Sequence, residues 1–111
     1  MKTIDWTRDE LVAYILLFAA NSDFKEDPKE KEMILALVDK NTFQEIYDEF
    51  HTDNDYRSIK KITISLEQHN YSEDDIDVLL EDIKVLFYID DDFSINEQIM
   101  FRFLEKLLKN S

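Results

Sequence analysis

The chain reads as an all-α protein, a single compact bundle of about six helices forming one domain over residues 1–111, and three observations carry that reading. It contains no glycine and one proline, where average usage of about 7% glycine would supply several. Without glycine the tight hairpin turns that need positive φ are hard to build. Apolar residues return at spacings of three and four in segment after segment, the period of a helix. Finally, one helix–turn–helix pattern occurs twice. The acidic stretch Asp23-Phe24-Lys25-Glu26-Asp27-Pro28-Lys29-Glu30 is matched 67 residues on by Asp90-Asp91-Asp92-Phe93-Ser94-Ile95-Asn96-Glu97. Apolar positions around it agree in the same frame: Leu11 with Val78, Leu16 with Ile83, Met33 with Met100, Ile34 with Phe101, Leu37 with Leu104. Repetition at a fixed offset is the mark of a duplicated supersecondary unit.

The first helix opens at Thr7, where Thr7 and Glu10 have the spacing of a capping box, and runs to about Asn21. Leu11, Tyr14, Ile15 and Phe18 make its core stripe, widened by Leu16 and Leu17. The second has Asp27 as cap, Pro28 at its first position and Glu30 three residues from the cap, an arrangement suited to a helix start. Its face is Met33, Ile34, Leu37 and Val38. A third, short helix follows Thr42 with Phe43, Ile46, Tyr47 and Phe50, and the polar run His51-Thr52-Asp53-Asn54-Asp55 reads as a turn. The fourth carries Tyr56, Ile59, Ile62, Thr63 and Leu66. A short strand at the β-branched Ile62-Thr63-Ile64 is the competing expectation there. The fifth is capped by Ser72 with Asp75 in its first turn, and buries Ile76, Leu79, Leu80, Ile83, Leu86 and Phe87. The sixth follows Ser94, with Glu97 closing another capping box, presents Ile99, Met100, Phe103, Leu104, Leu107 and Leu108, and ends with Lys106 and Lys109 where cations suit the helix dipole.

With 44% hydrophobic residues, including eight Phe, five Tyr and one Trp, the chain has the material for a core. It has no cysteine, which removes disulfides and thiolate chemistry and fits a reducing compartment. The longest apolar run, Leu11 to Ala20, is too short to span a bilayer. Asp5, Asp9 and Glu10 spoil the positive flank of a signal peptide, so a cytoplasmic protein without membrane insertion is expected. The net charge of −13 repels nucleic-acid phosphates and anionic lipid. Such a surface suits cations or basic proteins, and it also serves plain solubility.

Catalytic constellations are scarce. Glycine-rich phosphate loops and the nucleophile elbow need glycine. His51 and His69 lack zinc-site spacing and read as turn or helix-end residues, while Ser72 and Ser94 are placed for capping. Pairs among 26 acids carry little information. A non-enzyme with no cofactor other than a metal is the reading.

The acidic turns admit two readings. Asp27 with Glu30, and Ser94 with Glu97, are N-terminal caps that satisfy free backbone N–H groups. Capping, however, does not require Asp23, nor the consecutive Asp90, Asp91 and Asp92, which repel one another unless solvated or bridged. Asp23, Asp27 and Glu30, and Asp90, Asp92, Ser94 and Glu97, are therefore candidate oxygen ligands for Ca²⁺ or Mg²⁺. An EF-hand does not fit, because Ile95 and Phe101, or Pro28 and Ile34, fall where its Gly and Glu belong.

Trp6-Thr7 opening a helix, Leu-Leu-Phe-Ala-Ala at 16–20, Asp23, Asp27-Pro28, Glu30 and the later Asp90 to Glu97 copy together resemble the TerB-like family, helical domains named for tellurite resistance. The resemblance covers about two thirds of the chain. It implies a pseudo-symmetric helical bundle, divalent-cation binding at turns of the form Ala-Asp-Gly-x-Ile-x-x-x-Glu, and roles in stress-response complexes and membrane-linked co-chaperones. Carried over by position, the family's turn residues are Asp23, Asp27 and Glu30, then Asp90, Ser94 and Glu97. The family glycine is Phe24 in the first turn and Asp91 in the second. Because Asp tolerates positive φ better than Phe, the second turn is the better candidate.

The function expected is a protein-interaction module with divalent-cation binding. The alternative is an acidic inhibitor or immunity-type protein that covers a basic partner, by nucleic-acid mimicry for example. Its charge would come from Glu73-Asp74-Asp75, Asp77, Glu81-Asp82 and Asp90 to Asp92.

Overall fold

Ten consecutive apolar residues leave a helix without a water-facing side, so it belongs at the centre of whatever forms around it. The first helix, α1 (Arg8–Ala20), takes that place: Leu11, Ala13, Tyr14, Ile15, Leu16, Leu17, Phe18 and Ala19 are all buried. Five more helices follow: α2 (Pro28–Leu35), α3 (Lys40–Thr52), α4 (Asp55–Gln68), α5 (Glu73–Tyr88) and α6 (Ile95–Lys109). α1 packs against every one of them, while α2 also meets α3 and α5 also meets α6. The computed structural model describes residues 6–20, 28–88 and 95–109, without the side chains of 28–30, 96 and 97. Its radius of gyration is 13.1 Å, close to the roughly 13 Å of a folded chain of this length. The protein is an all-α bundle, and no strand occurs among the described residues. Ile62-Thr63-Ile64 is helical because Ile62, Ser65 and Leu66 reach the core together only at helical spacing.

Caps fix the ends. The Thr7 N–H donates to Glu10 Oε1 at 2.9 Å and the Glu10 N–H to Thr7 Oγ1 at 3.2 Å. Ser72 and Asp75 repeat this reciprocal box at 3.0 and 3.2 Å before α5. Each pair satisfies two amides that the first helical turn leaves open. α3 departs from expectation: its cap is Asp39, whose carboxylate accepts the Thr42 N–H at 2.7 Å, so the helix opens before Thr42. The turn into α4 is also shorter, since α3 continues through His51 and Thr52, and Asn54 caps α4 by accepting the Arg57 N–H at 2.8 Å.

α4 ends on a left-handed residue in a chain that has no glycine. Asn70 takes φ 53°, the Asn70 N–H reaches the Glu67 carbonyl at 3.1 Å, and the Tyr71 N–H reaches the Leu66 carbonyl at 3.2 Å. This is the Schellman arrangement, with asparagine in the position glycine usually holds.

α5 buries all six residues its pattern names. α6 departs from its pattern: Leu104 and Leu108 are buried, but Ile99 is 62% exposed and Phe103 41%. α4 turns Tyr56 outward at 71% exposure and buries Ser58 and Ser65. α2 stops at Leu35, so of its expected face Ile34 is buried, Met33 and Val38 half-buried, and Leu37 exposed beyond the helix end.

Candidate functional site

Of the candidate metal ligands, Asp23, Asp27, Asp90, Asp92 and Ser94 lie outside the described residues, as do the side chains of Glu30 and Glu97. The helices that follow them are described, and α2 moved on by 67 positions falls within α6, which runs on past it to Lys109. α2 begins at Pro28 and α6 at Ile95, 67 positions apart, which makes Glu30 and Glu97 each the third residue of its helix. Among the described residues no group of three His, Asp or Glu side chains is placed to hold a metal ion.

A polar cluster that the sequence reading did not identify joins α1, α3 and α4. Tyr14 is the one hydroxyl in the apolar stretch of α1, and a buried phenol needs partners. Its O–H donates to Asp53 Oδ2 at 2.7 Å, and Ser58 Oγ lies 2.9 Å away. Lys61 Nζ donates to the same Asp53 oxygen and to Glu49 Oε2, both at 2.7 Å. The Trp6 Nε1–H completes the set on Glu49 Oε1 at 3.3 Å. The Asp53 side chain is only 5% exposed, and its backbone N–H caps α3 through the Glu49 and Phe50 carbonyls. Burial drives the Tyr14 pKa well above the ordinary phenol range; the Ser58 hydrogen bond works against this, and the neighbouring Asp53 and Glu49 carboxylates add to it. For Lys61 burial disfavours the charge, yet hydrogen bonds and attraction from Asp53 and Glu49 outweigh it and raise the pKa. Both groups therefore keep their protons at neutral pH, and the arrangement works as a clamp across three helices. The signal in the sequence is the single side-chain polar atom, the Tyr14 hydroxyl, within the apolar stretch Leu11 to Ala20.

The histidines are structural in their contacts. His69 caps α4 and its Nε2–H donates to the Trp6 carbonyl at 2.8 Å, while His51 rests against Tyr47 and Phe50. Trp6 is a core residue at 8% exposure, its ring centre 4.4 Å from that of Tyr14. Tyr71 is half-buried beneath the Arg8 guanidinium at 4.6 Å.

Among the described residues, two of the features that face solvent bear on binding. A cavity of about 490 Å³ opens where α4 ends and α5 begins, with Leu66, Ile76 and Leu108 as its apolar part and Glu67, Asp77 and Lys109 among its polar lining. The other is the outer side of α5 and α6, where Val78 (63% exposed), Val85 (55%), Ile95 (72%) and Ile99 (62%) stand out with Tyr88 and Phe103. Single exposed apolar residues are ordinary, but several on adjoining helices make a patch of the kind used for contacts. No described helix is long and apolar enough to cross a membrane. No family model matches the chain, and comparison with curated proteins and with solved structures returns no significant match.

Proposed function

We propose that this protein is a non-enzymatic, cytoplasmic helical module of the TerB-like kind, related to the stress response, that works by binding a partner protein and binds Ca²⁺ or Mg²⁺ at its acidic turns. The observation that carries the interaction half is the exposed apolar side of α5 and α6, Val78, Val85, Ile95 and Ile99. The cation half rests on Asp23, Asp27 and Glu30, and on Asp90, Asp92, Ser94 and Glu97, within the TerB-like resemblance. The recurrence of the acidic stretch at an offset of 67 residues supports it.

Photo-cross-linking in the host cell tests the interaction. A cross-linker at position 85 or 99 is expected to give protein adducts, and one at the exposed Lys60 of α4 is expected to give none. Calorimetry of chelator-stripped protein with Ca²⁺ and Mg²⁺ tests the cation sites, with saturable heat lost in an Asp90→Asn/Glu97→Gln variant. Absence of heat and of any thermal shift would reduce both turns to helix caps.

A second reading, an acidic inhibitor of a basic protein, is favoured by α5, which carries Glu73, Asp74, Asp75, Asp77, Glu81 and Asp82 against one lysine. It predicts tight capture that weakens with salt and persists in chelator.

A further inference from the structure

The outer sides of α5 and α6 are both dotted with apolar residues but differ in charge. On α5 the positions 74, 78, 81 and 85 follow at spacings of four, three and four, which puts Asp74, Val78, Glu81 and Val85 in one row along the helix. On α6 the same spacings line up Ile95, Ile99, Arg102 and Lys106. All eight residues are exposed. The two helices pack on each other and on α1, so their buried sides are spent there and both rows face away from the core.

Local charge follows the rows. α5 holds six acids and one lysine, whereas α6 holds three cations and two acids within a chain of net charge −13. Among the described residues one ion pair joins the helices, Lys109 to Asp77 at 3.9 Å, and Lys84 of α5 lies over the Phe101 ring of α6 at 5.7 Å. Among the described residues, Asp74, Glu81, Arg102 and Lys106 make no ion pair.

The first half of the repeat shows what such a row does when covered. Moved back by 67 positions, Val78, Glu81 and Val85 become Leu11, Tyr14 and Phe18. Those three are buried, with Tyr14 bonded to Asp53 and Ser58 and Phe18 edge-on to Phe50. The second half has no described equivalent of α3 and α4 over that row.

We infer that the α5–α6 side is the contact surface of a two-fold homodimer, in which the acidic row on α5 of one copy lies along the cationic row on α6 of the other, and the reverse. This rests on the reading of that side as an interface, and it names the partner. A two-fold axis that runs along the two helices, between them, brings each α5 onto the opposite α6, so unlike charges meet in both halves of the contact. A uniformly basic partner would meet repulsion at Arg102 and Lys106, and a uniformly acidic one at Asp74 and Glu81. The like net charges of two copies are screened beyond about 8–10 Å at ordinary salt, whereas the rows meet at contact distance. A face only two helices wide gives a weak dimer, dissociating in roughly the micromolar range.

Sedimentation equilibrium of the whole chain tests this with two charge-reversed variants at exposed positions, Asp74→Lys/Glu81→Lys on α5 and Arg102→Glu/Lys106→Glu on α6. The unaltered protein is expected to dimerise, and each variant alone to lose at least about tenfold in self-association, because like charges then meet in both halves. Mixed in equal amounts, the two variants are expected to pair with each other, since each supplies the charge the other lacks. That restoration also shows that both are folded. A monomeric parent at every concentration, variants that dimerise as well as the parent, or no pairing on mixing would each overturn the homodimer. If the parent is monomeric yet positions 85 and 99 cross-link to another protein in the cell, the homodimer falls and the interaction module stands. If neither is seen, both fall.

Discussion

The two halves of the repeat are alike in frame and unlike in burial. Arg8–Ala20 of α1, moved on by 67 positions, falls inside α5, and α2, moved on likewise, falls inside α6. Leu16 and Ile83 are both fully sealed. Yet Leu11 is 0% exposed where Val78 is 63%, and Phe18 is 6% where Val85 is 55%. The difference is the company each helix keeps: α1 is enclosed by five others, whereas α5 packs chiefly on α1 and α6. The duplicated pattern therefore places the helices alike, but their lengths differ, since α2 ends at Leu35 and α6 runs on to Lys109, and burial is decided by whatever packs on top.

The sharpest way to break this comparison is to truncate matched positions. Leu11→Ala is expected to lower the unfolding free energy by about 2–5 kcal/mol, through lost burial and the cavity left behind. Val78→Ala should stay within about 0.5 kcal/mol of the parent. Urea denaturation measures both, and equal losses would mean that the two halves are covered alike.

The next pair contrasts Tyr14 with Glu81. Tyr14→Phe strips a hydrogen-bond donor from the nearly sealed Asp53 carboxylate and is expected to cost about 1–3 kcal/mol. Glu81→Gln alters an exposed side chain and is expected to have little effect in the monomer. Where α4 meets α5, Asn70→Val would force a β-branched side chain into the left-handed region, at a cost of about 1–2 kcal/mol. A thermal melt indistinguishable from the parent would show that the turn does not depend on that conformation.

Alkali gives a graded test. The folded protein holds the Tyr14 and Lys61 protons more tightly than the unfolded chain does. The stability this supplies is complete below the unfolded values, about 10 for tyrosine and 10.4 for lysine, and is lost as pH rises above them. Stability measured from pH 9 upward should fall, and less steeply in Tyr14→Phe than in the parent. Identical slopes would remove the clamp from the account.

Much of the frame was legible because it is written in local chemistry. Thr7 with Glu10 and Ser72 with Asp75 cap as their spacing demands, and the core residues of α5 are those its period names. α6 was harder for a physical reason. Ile95, Ile99, Met100, Phe101, Phe103, Leu104, Leu107 and Leu108 surround most of that helix, so periodicity alone does not choose its inward side. Asp39 took the α3 cap over Thr42 because the carboxylate accepts the N–H three residues on, which is Thr42's own. The clamp escaped because Glu49, Asp53 and Lys61 are ordinary charges on amphipathic helices until the fold brings Tyr14 to them. The acidic turns were legible as a repeat, but most of their residues lie outside those the structure describes.

The phenol at the centre of the bundle has one more consequence. A helix that is apolar all round gains nearly as much from burial at any rotation about its own axis, so hydrophobicity by itself leaves α1 without a preferred angle. Tyr14 breaks that degeneracy, because its hydroxyl is satisfied only when it meets Asp53 and Ser58. Its contribution is then to uniqueness as well as stability, much as a single buried polar residue fixes the register of a coiled coil. Without it, α1 could remain buried and still lack one settled orientation among its five neighbours.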